Sequence, residues 1–183
     1  MPPSSIEFHY HFCPQCGNPN PSEGPVPFKC LSCSFACFFG PVAAVGGIVV
    51  DHQGHVLLVR RARDPGKGKW GLPGGFVDRD ETIEAALIRE IIEETRLVVT
   101  DTEYLTSYPN SYCYHGVIAP VVDMFYVCHI ESSQPLHLAP DELEHFEWTH
   151  PTAAHLDNMA FPSNRLALQT WLAKHSRSTL RVE

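Results

Sequence analysis

The chain has little positive charge and no apolar run long enough to cross a bilayer. Its longest apolar stretch, residues 35–50, is interrupted by Gly40, Pro41, Gly46 and Gly47 and falls short of the roughly 20 residues that a spanning helix needs. Lys and Arg number 13 against 21 Asp and Glu, a formal net charge of −8, which opposes non-specific attraction to nucleic-acid phosphates. We therefore expect neither a membrane protein nor a nucleic-acid partner.

The first ten residues also lack a positive cluster followed by an apolar segment, so no secretory signal is visible and we expect a cytoplasmic protein. Because the cytosol keeps thiols reduced, the seven cysteines are poor candidates for a disulfide framework. A length of 183 residues allows one full domain and a small appendage. We predict a small module over residues 1–40, rich in cysteine and proline, and a main domain over residues 41–183.

Two C-x2-C knuckles in the small module predict a metal site. Cys13 and Cys16 form the first knuckle, and Cys30 and Cys33 form the second after a gap typical of four-thiolate zinc sites. So small a module cannot bury enough apolar surface to fold without a metal, so we expect a closed, structural Zn²⁺. Iron in the same site, and Cys37 as the fourth ligand, remain alternatives.

The main domain mixes strands and helices, which indicates an α/β fold. Apolar runs over residues 42–50 and 54–60 flank a turn and predict a β-hairpin. A helix is predicted over residues 81–96 and a closing helix over residues 164–174. Further strands are predicted over residues 97–99, 117–130 and 146–148.

Three glutamates fall on one arc of the helix predicted over residues 81–96. At 100° per residue, Glu93 and Glu94 lie within about 60° of Glu90. The opposite side is expected to be buried and carries Ala85, Ile88, Ile91 and Ile92, with Leu87 at its border. Clustered carboxylates repel one another, and a hard divalent cation such as Mg²⁺ or Mn²⁺ would reverse that repulsion. A solvated acidic face is the alternative interpretation.

A glycine-rich turn over residues 71–75 precedes this helix, and its backbone amides can approach a phosphate closely. Turn and helix together resemble the signature of the Nudix hydrolases, G-x5-E-x7-R-E-U-x-E-E-x-G-U, where U is aliphatic. The matching residues are Gly75, Glu81, Arg89, Glu90, Ile91, Glu93, Glu94 and Leu97. Arg96 stands where the family has glycine, and we expect it to cost about 1 kcal/mol in a left-handed conformation or to shift the helix end.

The resemblance implies an α/β/α sandwich around a mixed β-sheet and hydrolysis of a diphosphate by metal-activated water. It implies that Glu90, Glu93 and Glu94 bind Mg²⁺ or Mn²⁺ and include the general base. It further implies that Arg89 orients them, by pairing with Glu81.

Residues outside this helix are expected to complete the site. In several relatives of the family a carboxylate from a later loop does so, and the candidates in this chain are Glu142, Glu144 and Glu147, of which we prefer Glu144. Contacts to the substrate phosphates are expected from Gly74, Gly75 and Arg60. Further candidates, for which a solvated loop is the alternative, are Arg61, Arg63, Lys67 and Lys69.

The resemblance extends to the substrate class. A zinc ribbon before a Nudix domain is similar to the arrangement in NADH, FAD and ADP-ribose pyrophosphatases. The NADH enzymes carry S-Q-P-W-P-F-P-x-S after the signature, and residues 107–112 share only its serine and first proline, which favours ADP-ribose or another dinucleotide. A nucleotide sensor without catalysis and a house-cleaning nucleoside triphosphate pyrophosphatase remain alternatives, and a homodimer is left open.

Overall fold

The computed structural model describes residues 2–20 and 26–179 and divides the chain into two compact units. The first unit comprises residues 1–42 and 111–121, and the second comprises residues 43–110 and 122–183. The first unit therefore takes in residues 111–121, which the predicted division at residue 40 assigns to the main domain. In the described part of the chain, no helix is long and apolar enough to span a bilayer.

The strands within the described residues are β1 (Ser4–Ser5), β2 (Phe28–Lys29), β3 (Ala36–Cys37), β4 (Val42–Val50), β5 (Val56–Arg61), β6 (Trp70–Gly71), β7 (Val99–Tyr114), β8 (Val117–Ile130) and β9 (Leu143–Thr149). The helices are α1 (Ile83–Thr95), α2 (Ala153–Asp157) and α3 (Pro162–Thr179), and a 3₁₀ helix covers Ile6–His9.

The first unit is built around a few aromatic side chains and the cysteine knuckles. Strands β2 and β3 pair antiparallel, and β1 pairs in parallel with residues 117–118 of β8. Phe28 is fully buried and packs against the rings of Tyr10 and Phe35. Apolar packing in this unit is therefore limited to a small cluster.

The second unit is a sheet with helices on both faces. Its strand order is β8-β4-β5-β6, with β7 paired to β8 and β9 paired to β5. One core cluster joins Leu57 and Val59 of β5 to α1, and another joins Val56 and Leu58 to α3. Successive strand residues face opposite sides, so β5 contributes to both clusters. This is the expected α/β/α sandwich with a mixed sheet.

The burial of α1 differs from the prediction. Ala86, Leu87 and Ile91 contact the sheet, whereas Ile88 and Ile92 are each 37% exposed. Ala85, also predicted to be buried, is exposed. The helix is rotated because its buried stripe continues into Glu94 and Thr95 instead of along the isoleucines. The prediction of the buried face of α1 was wrong because it used only the positions of apolar residues and did not allow for a buried glutamate.

Strand β7 is much longer than predicted. Its sixteen residues alternate between exposed and partly buried positions and include Pro109. The sequence analysis gave a strand only to residues 97–99, because polar residues and an internal proline weaken the strand pattern. Pairing with β8 extends the strand.

Candidate functional site

Arg89 is the centre of the polar network on α1. Its Nε and Nη2 donate to the two carboxylate oxygens of Glu81, both at 2.9 Å. Nη1 donates to Glu90 at 2.8 Å and to Glu93 at 3.3 Å. Hydrogen bonding to Arg89 holds the pKa of Glu81 below its usual range, and a two-pronged contact of this kind fixes geometry as well as charge. Arg89 therefore orients two of the three clustered glutamates.

The glycine turn lies directly against these carboxylates. A Cβ atom on Gly75 would lie 2.5 Å from the Glu90 carboxyl carbon. Gly74 has φ +148°, and a Cβ atom there would lie 2.1 Å from the Val45 carbonyl oxygen. At Gly74 a side chain would collide with the backbone of β4, so only glycine fits, whereas a side chain at Gly75 would displace the Glu90 carboxylate.

Glu94 is buried beneath the same turn. It is 6% exposed, and one carboxylate oxygen accepts the Gly74 N–H at 3.0 Å. Burial raises the pKa of Glu94 to about 8, and the nearby charges of Glu90 and Glu142 add to the increase. Burial also raises the pKa of Glu90. Without a cation, this pocket disfavours negative charge on its own carboxylates.

The later loop brings a different carboxylate to the site from the one we preferred. Glu142 raises the pKa of both Glu90 and Glu94 through its charge, and its carboxylate pairs with Arg63 at 2.8 Å. The Ala62 N–H donates to the Glu142 carbonyl at 2.8 Å, which holds this loop at the end of β5.

The preferred Glu144 is exposed in β9, where a bulge shifts the register opposite Arg60 and Arg61. The register passes from His145 opposite Arg60 to Leu143 opposite Arg61, so Glu144 is the extra residue at the bulge, and no pattern in the sequence revealed it. Glu147, the third candidate, lies near His155, with 3.7 Å between Oε2 and Nε2.

The two arginines at the end of β5 both lie against aromatic rings. Arg60, the predicted phosphate contact, places its guanidinium 4.7 Å from the centre of the Trp70 ring. Arg61 places its guanidinium 5.2 Å from the centre of the Phe161 ring, and its Nε donates to the Pro65 carbonyl at 2.7 Å. The positive charge of Arg61 also lowers the pKa of Glu94. The sequence analysis names Arg61 among the further candidates for a phosphate contact, and this effect on Glu94 favours it over Arg60.

The four predicted cysteines come together in the first unit. Their sulfur atoms all lie within 4.8 Å of one another, and the Cys13–Cys33 and Cys16–Cys30 pairs are each 3.7 Å apart. A tetrahedron with Zn–S bonds of about 2.3 Å has S···S edges of about 3.8 Å. Cys37 lies outside this cluster. The donor set and the spacing both fit zinc.

Comparison with known proteins identifies the second unit. The family profile of the NUDIX domain matches residues 40–170. The chain belongs to the NUDIX family. Helix α1, which carries Arg89, Glu90, Glu93 and Glu94, lies within the matched residues.

Several known proteins are similar to this Nudix chain. An ADP-ribose pyrophosphatase from Methanocaldococcus jannaschii is 44% identical over 64 residues, 35% of this chain and 37% of that protein. An NAD-capped RNA hydrolase NudC from Edwardsiella ictaluri is 29% identical over 142 residues, 76% of this chain and 51% of that protein. The chain therefore spans about half or less of these curated relatives.

Among solved structures, the NUDIX domain of Shewanella oneidensis NrtR in complex with ADP ribose superposes with a TM-score of 0.59. It is 27% identical, and the match covers 74% of this chain and 88% of that one.

The Nudix site fits the divalent metal that its family implies. Glu90, Glu93 and Glu94 offer hard oxygen ligands, and burial, with the charges of Glu90 and Glu142, raises the pKa of Glu94. A bound cation would stabilise all three carboxylates in their charged form. These are the residues that would hold Mg²⁺ or Mn²⁺.

Proposed function

We propose that this protein hydrolyses the diphosphate linkage of a nucleoside diphosphate derivative in the presence of Mg²⁺ or Mn²⁺ and releases a nucleoside monophosphate. ADP-ribose is the proposed first substrate, followed by dinucleotides such as NADH or FAD. The observation that carries this proposal is the contact between the glycine turn and the glutamates. Backbone amides suited to phosphate and carboxylates suited to a metal lie within a few ångströms of each other.

The glutamates differ in exposure, and the difference suggests a division of labour. The Glu93 side chain is 58% exposed, whereas that of Glu90 is 14% exposed. Glu93 is therefore placed to accept the proton of an attacking water that arrives from solvent. Glu90 and Glu94, which are deeper, are placed to hold the metal, with Glu142 as an additional carboxylate. When bound, Mg²⁺ or Mn²⁺ would offset the diphosphate charge and lower the pKa of a coordinated water.

Arg89 and Arg61 have separate tasks in this proposal. Arg89 keeps Glu90 and Glu93 in fixed orientations through the contacts described above, so it acts as a positioning residue. Arg61, whose charge already reaches Glu94, is placed to attract the anionic substrate. Arg60, whose guanidinium lies 4.7 Å from the centre of the Trp70 ring, remains the second candidate for a phosphate contact.

Two similarities support ADP-ribose as the first substrate. The archaeal relative is an ADP-ribose pyrophosphatase, and the similar Shewanella domain was solved with ADP ribose. The similarity to NudC proteins supports a substrate with an NAD-like end as the second choice. Binding of ADP-ribose without turnover is the competing function.

The test is a turnover assay with Mg²⁺ or Mn²⁺ and a panel of ADP-ribose, NADH, NAD, FAD, diadenosine polyphosphates and oxidised nucleoside triphosphates. We expect AMP from ADP-ribose and loss of that product in Glu94→Gln. Glu147→Gln is the matched control, since Glu147 lies near His155, and it should keep full activity. Folded, zinc-loaded protein that binds ADP-ribose but releases no AMP would replace the hydrolase proposal with the sensor.

A further inference from the structure

An ion pair outside the network of Arg89 lies at the edge of the glutamate site. Nη2 of Arg63, in the loop after β5, is 2.8 Å from Oε1 of Glu142. The charge of Glu142 raises the pKa of both Glu90 and Glu94, so this carboxylate is close enough to act on them. Glu142 therefore has two cationic partners available: the guanidinium of Arg63 and, under the proposed function, a metal ion at the neighbouring glutamates.

The backbone of Glu142 is fixed between these two partners. Its N–H donates to the Ala139 carbonyl at 3.0 Å, and the Ala139 N–H donates to the carbonyl of Glu94, also at 3.0 Å. On the other side, the Ala62 N–H donates to the Glu142 carbonyl at 2.8 Å. Ala62 immediately precedes Arg63, so α1 and the loop after β5 are tied to the same residue. Any change of partner by Glu142 is therefore a matter of side-chain rotation.

The Arg63–Glu142 pair is more exposed to solvent than the contacts of Arg89. Arg89 gives Glu81 two hydrogen bonds of 2.9 Å, and the two side chains are 28% and 16% exposed. The side chains of Arg63 and Glu142 are 58% and 39% exposed. Water and salt screen an exposed pair, so its net contribution is small, whereas a two-pronged contact holds its geometry. Arg63 and Glu142 can therefore exchange partners, while Arg89 and Glu81 stay together.

Arg63 is also the arginine of this loop that a phosphate can recruit. The Arg61 Nε already donates to the Pro65 carbonyl, and the Arg61 guanidinium lies against the Phe161 ring, so Arg61 exerts its charge from a fixed position. Arg63 is exposed and is engaged by the ion pair with Glu142. A guanidinium can bind phosphate oxygens through two parallel N–H groups, so a substrate phosphate would compete with Glu142 for Arg63.

We propose that Arg63 and Glu142 form an exchangeable ion pair that couples substrate binding to metal binding. In the free protein Arg63 holds Glu142 away from the metal, and a phosphate of the bound substrate takes Arg63 as its partner and releases Glu142 to the metal. This inference rests on the proposed function, since it assumes a metal and a phosphate substrate at the glutamates. Arg63 is a positioning residue in it, because it acts on the metal through Glu142. By linkage, each ligand then strengthens the binding of the other.

The first measurement is the affinity of the zinc-loaded full chain for Mn²⁺ alone, from the electron paramagnetic resonance signal of the free ion. We expect Arg63→Ala to bind Mn²⁺ about two- to fivefold more tightly than the wild type, the range expected for loss of one exposed ion pair. The gain should vanish when Glu142→Gln is present in both proteins. Lys67→Ala is the matched control, since it removes an equal charge from an exposed position of the same loop.

The second measurement is the affinity for α,β-methylene-ADP, a diphosphate whose bridging carbon resists hydrolysis, in buffer freed of divalent cations by chelating resin. Glu142→Gln should bind this analogue severalfold more tightly, because Arg63 loses the carboxylate that competes for it. Arg63→Ala should bind it severalfold more weakly. Glu144→Gln is the matched control for Glu142→Gln, since it removes an equal charge from an exposed position two residues away.

The proposal predicts effects of opposite sign on the two ligands. Misfolding of Arg63→Ala would weaken the binding of both, so it cannot produce this result. The proposal is overturned if Arg63→Ala gains no more Mn²⁺ affinity than Lys67→Ala or keeps its gain in the Glu142→Gln background. It is also overturned if Glu142→Gln binds the analogue no better than Glu144→Gln. Failure of the proposed function would appear separately, as no AMP from ADP-ribose, because neither affinity depends on turnover.

Discussion

The two candidate metal sites of this protein are built in opposite ways. In the first unit, two tight turns bring four soft thiolates together, and little else holds the unit beyond a small aromatic cluster. In the Nudix unit, hard carboxylates are fixed by an arginine and a glycine turn on a fold that has two apolar cores. Metal binding can thus supply the stability that a small unit needs to fold, or it can be added to a unit that its apolar cores already stabilise.

Removing a thiolate should break the first unit alone. Structural zinc sites contribute roughly 10 to 16 kcal/mol of apparent binding free energy, so Cys30→Ser should release zinc and abolish hydrogen-exchange protection in peptides from residues 2–42. Peptides from α1 should keep their protection. Cys37→Ser is the matched control, because Cys37 lies outside the cluster. Retained zinc in Cys30→Ser would show that the cluster is not the metal site.

Displacing one carboxylate should abolish function in the Nudix unit without unfolding it. In Gly75→Ala the new Cβ atom meets Glu90 at 2.5 Å, and a displacement of about 1 Å at a reacting centre costs on the order of 100-fold in rate. We expect that loss in turnover of ADP-ribose. Gly71→Ala, whose nearest neighbour would be 3.7 Å away, should retain activity, and equal losses in both would contradict this explanation.

The buried carboxylate makes stability depend on pH in the metal-free protein. The pKa of Glu94 is raised to about 8 by burial, so the folded state binds more protons than the unfolded state between about pH 4.5 and pH 8. Stability should therefore fall as the pH rises through that window, by on the order of 3 kcal/mol. Urea unfolding at pH 5.5 and pH 8 measures this slope.

Two changes should remove the pH slope. Glu94→Gln abolishes the titrating group, and Mg²⁺ at pH 8 should restore stability to the wild-type protein by compensating its charge. An equal slope in wild-type protein and Glu94→Gln would assign the pH dependence to other groups.

The smallest effect is expected at the end of α1. Arg96 adopts φ 62°, and its N–H donates to the Ile92 carbonyl, so the helix ends where the family glycine would end it. The strained conformation is thus retained and the helix end does not shift. Arg96→Gly should raise the free energy of unfolding by about 1 kcal/mol with unchanged turnover. Arg96→Ala keeps the strain and should not stabilise the protein.

The parts of the site that depend on local spacing were predictable from sequence. The shared arc of Glu90, Glu93 and Glu94 follows from helical geometry, and the signature places Gly74 and Gly75 shortly before that helix. The cysteine cluster follows from two knuckles at a suitable separation. In each case the residues that meet come from one or two short segments with characteristic spacing.

The other features of the site depend on contacts between segments that are distant in sequence. The bulge in β9 leaves Glu144 as the extra residue and depends on the register with β5, while Glu142, before β9, is the carboxylate whose charge raises the pKa of Glu94. The rotation of α1, which leaves Ile88 and Ile92 exposed, follows from burying Glu94 under the turn. Neither was visible in residue periodicity, because both result from contacts between segments distant in sequence.

The glycine turn is fixed to the sheet by backbone hydrogen bonds. It is paired with β4 on both sides of the glycines: Gly47 donates to the Pro73 carbonyl, Val45 to that of Gly75, and the Val77 N–H to that of Ala43. The turn is therefore part of the sheet and does not act as a flap that closes on a substrate. The conformational entropy of its amides is lost during folding rather than at each binding event. Under the proposed function, the glycine turn would present the same backbone amides to the phosphates of every substrate. Selection among substrates would then depend on the other loops around the site.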